Sequence, residues 1–426
     1  MHSVSDFKRR ALILSDLFSQ YADIINREIL DFYPGNSHPY DPEWLNFLKS
    51  LDLDDLYFFE TSQSTKELQK TFPQLPKSLS ALLQKLEEAC VLNSSIDADK
   101  VLPKLEDWAF IKVKHKKKYE IERILPTILA LKDRHAIEQL LDIGGGLGHL
   151  ARITSHYYAL ESHVIECNEH FVALGLERSK KFRTIPGAKE IYFHHQLFSL
   201  DHPLPNKLKA ERLLVLGLHA CGELSIDLIK TAINLQAGAI FNFGCCYHKG
   251  FQEEHPYHCT FFKSENLFPL HLFARTLASR AHYDRDREQF LTKRKVKKYR
   301  YALHLYLAQH KSYFIQNVGE VNVKEYQKSF ADYALGRIQF LQLIPNDQKK
   351  ENEKVKLQDF YDDPNIQNTI HEMFVLNQLR FRFGRALEIY LLIDRALYAF
   401  EQGRKVKMET YFDDQISPRN IGLVIT

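Results

Sequence analysis

The stretch Leu140-Leu141-Asp142-Ile143-Gly144-Gly145-Gly146-Leu147-Gly148-His149-Leu150 constrains the fold more than any other part of the chain. The run from Gln139 to Ile143 reads as a strand, Gly144, Gly146 and Gly148 occupy alternate positions after it, and a helical pattern begins near His149. Glycine lets the backbone turn tightly and approach a ligand closely. The start of the following helix offers unpaired N–H groups to that ligand. From about residue 136 short apolar runs alternate with helical patterns, the sign of a parallel sheet in an α/β fold. The second run ends at Val164-Ile165-Glu166 and the third covers Glu190 to His194. The fourth, Leu213 to Leu218, is almost wholly apolar, as a strand buried on both faces should be, and the fifth runs from Ala239 to Phe243.

A chain of 426 residues exceeds one small core, so additions to this sheet are expected. The first hundred residues are helical in pattern, and residues from about 264 to 380 are helical and rich in charge. RALEIYLLIDRALYAFEQG reads as one long helix stopped by Gly403. Two strand candidates follow, Lys405 to Phe412 and Asn420 to Thr426, joined by the turn DDQISPR. The expected division is an N-terminal helical region (1–110), an α/β core (111–250), a helical insertion (251–384), and a last helix with a closing hairpin (385–426). The six cysteines form no regular framework and read as reduced thiols, which places the protein in the cytoplasm or nucleus. No apolar run is long enough to span a bilayer, so no membrane partner is expected. A net charge of +3 permits a nucleic-acid partner without demanding one.

Three ligand classes compete for the glycine loop. A P-loop needs a Gly-Lys-Ser/Thr ending, which is missing. The dinucleotide fingerprint places its last glycine at position 149, which is His149. The observed D-x-G-x-G-x-G resembles motif I of class I methyltransferases, in which the acidic residue helps hold the methionine amine. On that reading Asp142, Gly144, Gly146 and Gly148 bind S-adenosyl-L-methionine, with Glu166, at the end of the next strand, accepting from the ribose hydroxyls. Gln196 stands where the adenine ring lies and is a candidate for its amine, although a solvated loop glutamine reads equally well. A NAD-type ligand is the competitor. A hairpin at the edge of a parallel sheet is how class I methyltransferase sheets end, so the expected fold is a Rossmann-like sheet of seven strands.

The fourth strand runs into GLHACGEL and the fifth into NFGCCYHKG. Carboxyl ends of neighbouring strands face one crevice in an open α/β sheet. His219, Cys221, Cys245, Cys246, Tyr247 and His248 therefore converge beside the ligand. His219 or His248 suits a base, and Tyr247 suits a ring that stacks on or orients the acceptor. The candidate catalytic set is His219, Cys221, Cys246, Tyr247 and His248. A Zn²⁺ site is the weaker reading, because C-x-x-C spacing is missing and adjacent cysteines on a continuing strand project to opposite faces. No metal is assigned. Two basic runs, KVKHKKKYEIERI before the first strand and KRKVKKYRY from Lys293 to Tyr301, combine charge with tyrosines in a way that suits phosphate contact and base stacking. A solvated helix face explains either run alone.

These residues together resemble the methyltransferase-like protein 25 family, once described as ribosomal RNA adenine dimethylase domain-containing proteins. The resemblance covers the chain from about residue 110 and rests on Lys116, Lys117, Glu120 and Ile121 of a K-K-x-x-E-I element, the glycine loop, GLHACGEL, GCCYHK, LLIDRALY and ISPRN. It implies the methyltransferase fold and S-adenosylmethionine as cofactor, with Lys116, Lys117 and Glu120 flanking the acceptor pocket. This chain has Lys114 and Tyr119 where members commonly show Ser and His, and Cys167 where Gly is usual. A family of tRNA 2′-O-methyltransferases carries a similar H-x-C-G segment followed by CC-x-H, which tilts the reading towards an RNA substrate. A protein substrate docked by the helical insertion, and a non-catalytic S-adenosylmethionine-binding protein, are the alternatives.

Overall fold

The computed structural model describes residues 3–33, 38–95, 105–181, 186–280, 286–310, 318–343 and 350–426. They fall into two compact units. One comprises Met1–Gln20, Cys90–Arg280 and Ala386–Thr426, and the other Tyr21–Ala89 and Ala281–Arg385.

The first unit is built on one sheet. Its strands are β1 (Asn93–Ser94), β2 (Gln139–Ile143), β3 (Glu161–Glu166), β4 (Ile191–His195), β5 (Leu213–Cys221), β6 (Ala239–Cys245), β7 (Val406–Thr410) and β8 (Ile421–Ile425). Their spatial order is β1-β7-β8-β6-β5-β2-β3-β4. β2 to β6 are mutually parallel, and β8 runs antiparallel to both β6 and β7. The seven expected strands thus form a Rossmann-like α/β sheet with its antiparallel hairpin. The eighth corrects the expected count: two-residue β1 adds parallel to β7 and is too short to carry a period-two signal. Every residue of β2, β6 and β8 is buried, which is why these strands read as unbroken apolar runs rather than alternations. The order reverses direction between β2 and β5, so their carboxyl ends open the crevice where ligands of such sheets sit. Helices His115–His135, His149–Tyr158, Glu169–Lys180 and Leu224–Asn234 belong to this unit. Its last helix, Gly384–Glu401, ends at Gly403 (φ +77°), where the Arg404 N–H returns to the Ala399 carbonyl.

The units divide the chain elsewhere than the sequence boundaries do. Helix Val4–Gln20 packs with the sheet unit: Phe7 meets Phe400, Phe18 meets Tyr390, and Ser15 Oγ accepts from the Phe268 N–H. Residues 251–280 also belong there. The buried carboxylate of Asp394 accepts the His258 and Cys259 N–H groups, and Glu401 accepts those of Thr260 and Phe261. These carboxylates accept N–H groups at and just before the first turn of helix Thr260–Ser264, where no helical carbonyl is available to them. Asp394→Ala orphans two buried N–H groups at once, so we expect a loss of about 2–5 kcal/mol in stability, read by denaturant titration.

In the second unit, the segment before residue 90 and the segment after residue 285 form one body. Buried Arg380 donates to the Ile24 and Ile25 carbonyls and reaches Glu28, and Arg382 donates to the carbonyls of Phe59, Glu60 and Ser62. Two regions that the sequence reading keeps apart are thereby stapled through backbone oxygens. No helix among the described residues is long and apolar enough to cross a membrane.

Candidate active site

Asp142 lies near the end of β2 and is buried. Burial drives its carboxyl up to about 7, with Glu166 adding to the rise and Lys117 opposing it. Gly144, Gly146 and Gly148 all take left-handed backbone angles (φ +69°, +58° and +66°). A Cβ on Gly144 or Gly146 would point into open space, so that side of the loop is free for a ligand. A Cβ on Gly145 would lie 2.7 Å from Asp142 Oδ2, so the loop closes over the acid only because side chains are missing there. Gly148 precedes the helix, and a Cβ there would fall 2.6 Å from the Phe193 ring. Gly148→Ala meets both that ring and an unfavourable φ, and we expect it to cost about 1–3 kcal/mol in thermal unfolding.

Glu166 is oriented by backbone: Oε2 accepts the Gly146 N–H at 3.0 Å and Oε1 the Asn168 N–H at 2.9 Å. A carboxylate has about four acceptor positions, so acceptor capacity remains for hydroxyl groups. Gln196 N–H donates to the Glu166 carbonyl, which sets Gln196 beside Glu166, and its side-chain amide donates to the Pro203 carbonyl.

The K-K-x-x-E-I, GLHACGEL and ISPRN segments converge on one carboxylate. Glu120, on the first turns of helix His115–His135, is 1% exposed. His219 Nε2 lies 2.8 Å from its Oε1, Ser417 Oγ donates to the same oxygen at 2.7 Å, and Lys117 Nζ sits 3.0 Å from Oε2. Lys116 adds a longer contact at 3.7 Å. Burial alone raises the Glu120 carboxyl, but the His219 bond, the His219 and Lys117 charges and the Ser417 bond outweigh it and bring it down to about 2. Its contribution to stability is therefore complete above its unfolded value near 4.5 and is lost as pH falls towards about 2. An ionised carboxylate only accepts, so His219 Nε2 is the donor of that bond, and in the neutral ring Nδ1 is the nitrogen left to accept. His219 sits where β5 breaks register between Leu218 and Ala220, at φ +69°. Strain of this kind in a non-glycine residue collects at functional sites. Ser417 was missing from the candidate set. It lies in the ISPRN segment of the tail, and nothing local ties position 417 to position 120.

Cys221 and Cys245 are register partners at the ends of β5 and β6, with Sγ atoms 3.3 Å apart. The Cys245 Sγ also lies 3.1 Å from the His219 carbonyl oxygen. The bond from Cys245 lowers the Cys221 thiol against the opposing effect of burial, and the same bond raises Cys245. Cys246 follows at φ +47°, so the strand stops and turns instead of sending its side chain to the far face. The Cys221, Cys245 and Cys246 sulfurs all lie within 4.8 Å of one another.

Tyr247 requires a correction. It is fully buried, donates to Glu388 Oε1 at 3.0 Å, and stacks under the Arg395 guanidinium. Its ring is enclosed by protein and has no face for an acceptor. It anchors the loop after β6, with Arg395 bonded to Ser225 Oγ and to the Gly222 carbonyl. His248 is half-buried with Nδ1 3.3 Å from Ser279 Oγ, and burial together with Arg280, Lys249 and Arg419 holds its pKa below the usual imidazole value.

The two basic runs differ. In the first, Lys112, Lys114, His115 and Lys116 are exposed. In the second, Tyr299 and Tyr301 are buried, Lys293 pairs with Glu60, and Lys297 lies over the Tyr301 and Phe381 rings. Burial brings the Lys297 ammonium down to about 7. The tyrosines of this run pack a helical core and do not offer the stacking surface the sequence suggests.

Residues 116–252 match a sequence family described as a methyltransferase domain. The match begins at the lysine pair, contains the glycine loop, Glu166 and His219, and ends just past the cysteine loop. A solved structure described as coclaurine N-methyltransferase bound to N-methylheliamine and SAH aligns with 100% of this chain and 96% of its own at 12% identity. Its TM-score is 0.24, too low to equate the two folds as wholes. The match spans β2 to β6 of this sheet, so that part of the chain is a methyltransferase domain, and S-adenosylmethionine is the cofactor such a domain implies. The cradle over Asp142, open at Gly144 and Gly146, and the backbone-held Glu166 fit that cofactor.

Proposed function

We propose that the protein methylates RNA, at a hydroxyl or a nitrogen that must lose a proton, with His219 as general base. The observation that carries this reading is the Glu120–His219 pair at the crevice end of β5, one contact from Lys117. When bound, S-adenosylmethionine supplies an electrophilic methyl on a sulfonium leaving group. Asp142 receives the ligand's ammonium, which favours the ionised carboxylate that burial otherwise disfavours. Glu166 would accept from the ribose hydroxyls with its remaining lone pairs, Gly144, Gly146 and Gly148 would let the backbone approach, and Gln196, set beside Glu166, would be the candidate partner for the adenine. His219 Nδ1 accepts the acceptor's proton, and Glu120 holds the ring and stabilises the resulting imidazolium. The exposed Lys112, Lys114 and Lys116 lie at or just before the start of the helix that carries Glu120 and suit phosphate contacts. The H-x-C-G and CC-x-H segments, similar to those of a family of tRNA 2′-O-methyltransferases, support the same acceptor class.

The test is transfer of tritiated methyl from S-adenosylmethionine to total RNA and to total protein from the same cells. RNase-sensitive, protease-resistant label is the expected result. Label removed by protease alone would make a protein the acceptor. A Lys112→Ala/Lys114→Ala double variant should weaken RNA binding similarly across RNA sequences, with a shallower salt dependence.

A further inference from the structure

We infer that Cys221, Cys245 and Cys246 form a Zn²⁺ site with three thiolate ligands and a fourth position open to solvent or acceptor. The two objections that spacing raises are answered by the backbone. Parallel pairing of β5 with β6 makes Cys221 and Cys245 direct neighbours, so no C-x-x-C segment is needed. The left-handed turn at Cys246 brings the third sulfur to the same side as the second. Tetrahedral Zn–S bonds of about 2.3 Å require sulfurs about 3.8 Å apart. The observed group, with one pair at 3.3 Å and all three within 4.8 Å, needs only small rotations to reach that spacing.

The surroundings are those of a ligand site more than of a packed core. Cys221 and Cys246 are only half-buried, whereas structural free cysteines are usually sealed. Two non-glycine residues, His219 and Cys246, hold left-handed angles on either side of the cluster. The loops that carry the sulfurs are locked together: the Gly222 N–H donates to the Cys245 carbonyl at 2.7 Å and the Glu223 N–H to that of Lys249 at 3.1 Å. A Cβ on Gly222 would fall 2.0 Å from the Lys249 carbonyl oxygen, so this approach requires glycine. Arg395, bonded to the Gly222 carbonyl and stacked on Tyr247, braces both loops from below. An all-sulfur donor set selects a soft or borderline ion over Mg²⁺ or Ca²⁺. Three protein ligands on a partly exposed site match the open coordination of catalytic zinc rather than the closed four-ligand sets of structural zinc.

The site is independent of the cofactor reading and is tested without methyl transfer. The full chain, purified under reducing conditions with added Zn²⁺ and then desalted, should retain one equivalent of zinc by elemental analysis. Cobalt substitution should give thiolate-to-metal charge-transfer bands in the near ultraviolet and strong tetrahedral bands in the red. Cys221→Ser and Cys246→Ser should each lose the bound equivalent, while Cys90→Ser, outside the cluster, keeps it. If either variant fails to fold, the cobalt spectrum of the unaltered chain still decides the matter. Folded, reduced protein that retains no zinc and gives no cobalt–thiolate bands overturns the proposal. A Cys221–Cys245 disulfide in place of metal does the same.

Discussion

His219→Ala is expected to lower the methyl-transfer rate about 10²- to 10⁴-fold while S-adenosylhomocysteine binds as before. The imidazole is a 22%-exposed side chain held by a carboxylate that is itself 1% exposed, so removing it leaves the glycine loop and Glu166 untouched. Glu120 acts through His219 and is a positioning residue. Glu120→Gln keeps a hydrogen-bonding oxygen but loses the charge that stabilises the imidazolium. It should lower kcat with KM for RNA unchanged, whereas a purely structural role would lower soluble yield and thermal stability without that split. Ser417→Ala removes one neutral donor from the same carboxylate and should have the smallest effect of the three. Equal kcat in wild type and His219→Ala would show that positioning alone drives the reaction.

The second large effect concerns Asp142. Asp142→Ala should weaken S-adenosylhomocysteine binding about 10- to 100-fold, the size of one hydrogen bond to a charged group. The pH dependence follows from its raised pKa. Without ligand, the folded state favours the neutral carboxyl up to about 7, so this group subtracts stability progressively as pH rises from near 3.8 to about 7. Asp142→Asn should therefore gain in unfolding midpoint relative to wild type as pH rises through that window, even as it loses ligand affinity. A ligand ammonium favours the ionised form, so binding below about pH 7 should release a proton and tighten as pH rises. Calorimetry in buffers of different ionisation enthalpy reads that proton directly. Proton uptake on binding, or a pH-independent affinity in wild type, would show that Asp142 does not face the ammonium.

The parts of this protein that are legible in its sequence are those set by local pattern. β2, β5 and β6 are largely apolar because both faces of the sheet are covered there, and Gly144, Gly146 and Gly148 recur at alternate positions because each takes a left-handed backbone angle. The long helix announces its end at Gly403. What could not be read are contacts between distant positions. Glu120 lies 99 positions from His219 and 297 from Ser417, and no periodicity connects them. The left-handed turn at Cys246 is imposed by loop packing, since a cysteine carries no signal for positive φ. The basic tyrosine run from Lys293 looked like a stacking surface because charge and aromatic content are visible in sequence and burial is not. The union of 21–89 with 281–385 rests on arginines donating to backbone carbonyls, contacts that residue type alone does not encode.

The central claim is that the pocket over Asp142 and Glu166 takes S-adenosylmethionine and its product. Calorimetric titration of the purified chain with S-adenosylhomocysteine, run beside NAD, tests it most directly. The account predicts micromolar binding of the first, weakened about 10- to 100-fold in Asp142→Ala, and none of the second. Folded protein that binds NAD in this pocket, or that ignores S-adenosylhomocysteine, would contradict it.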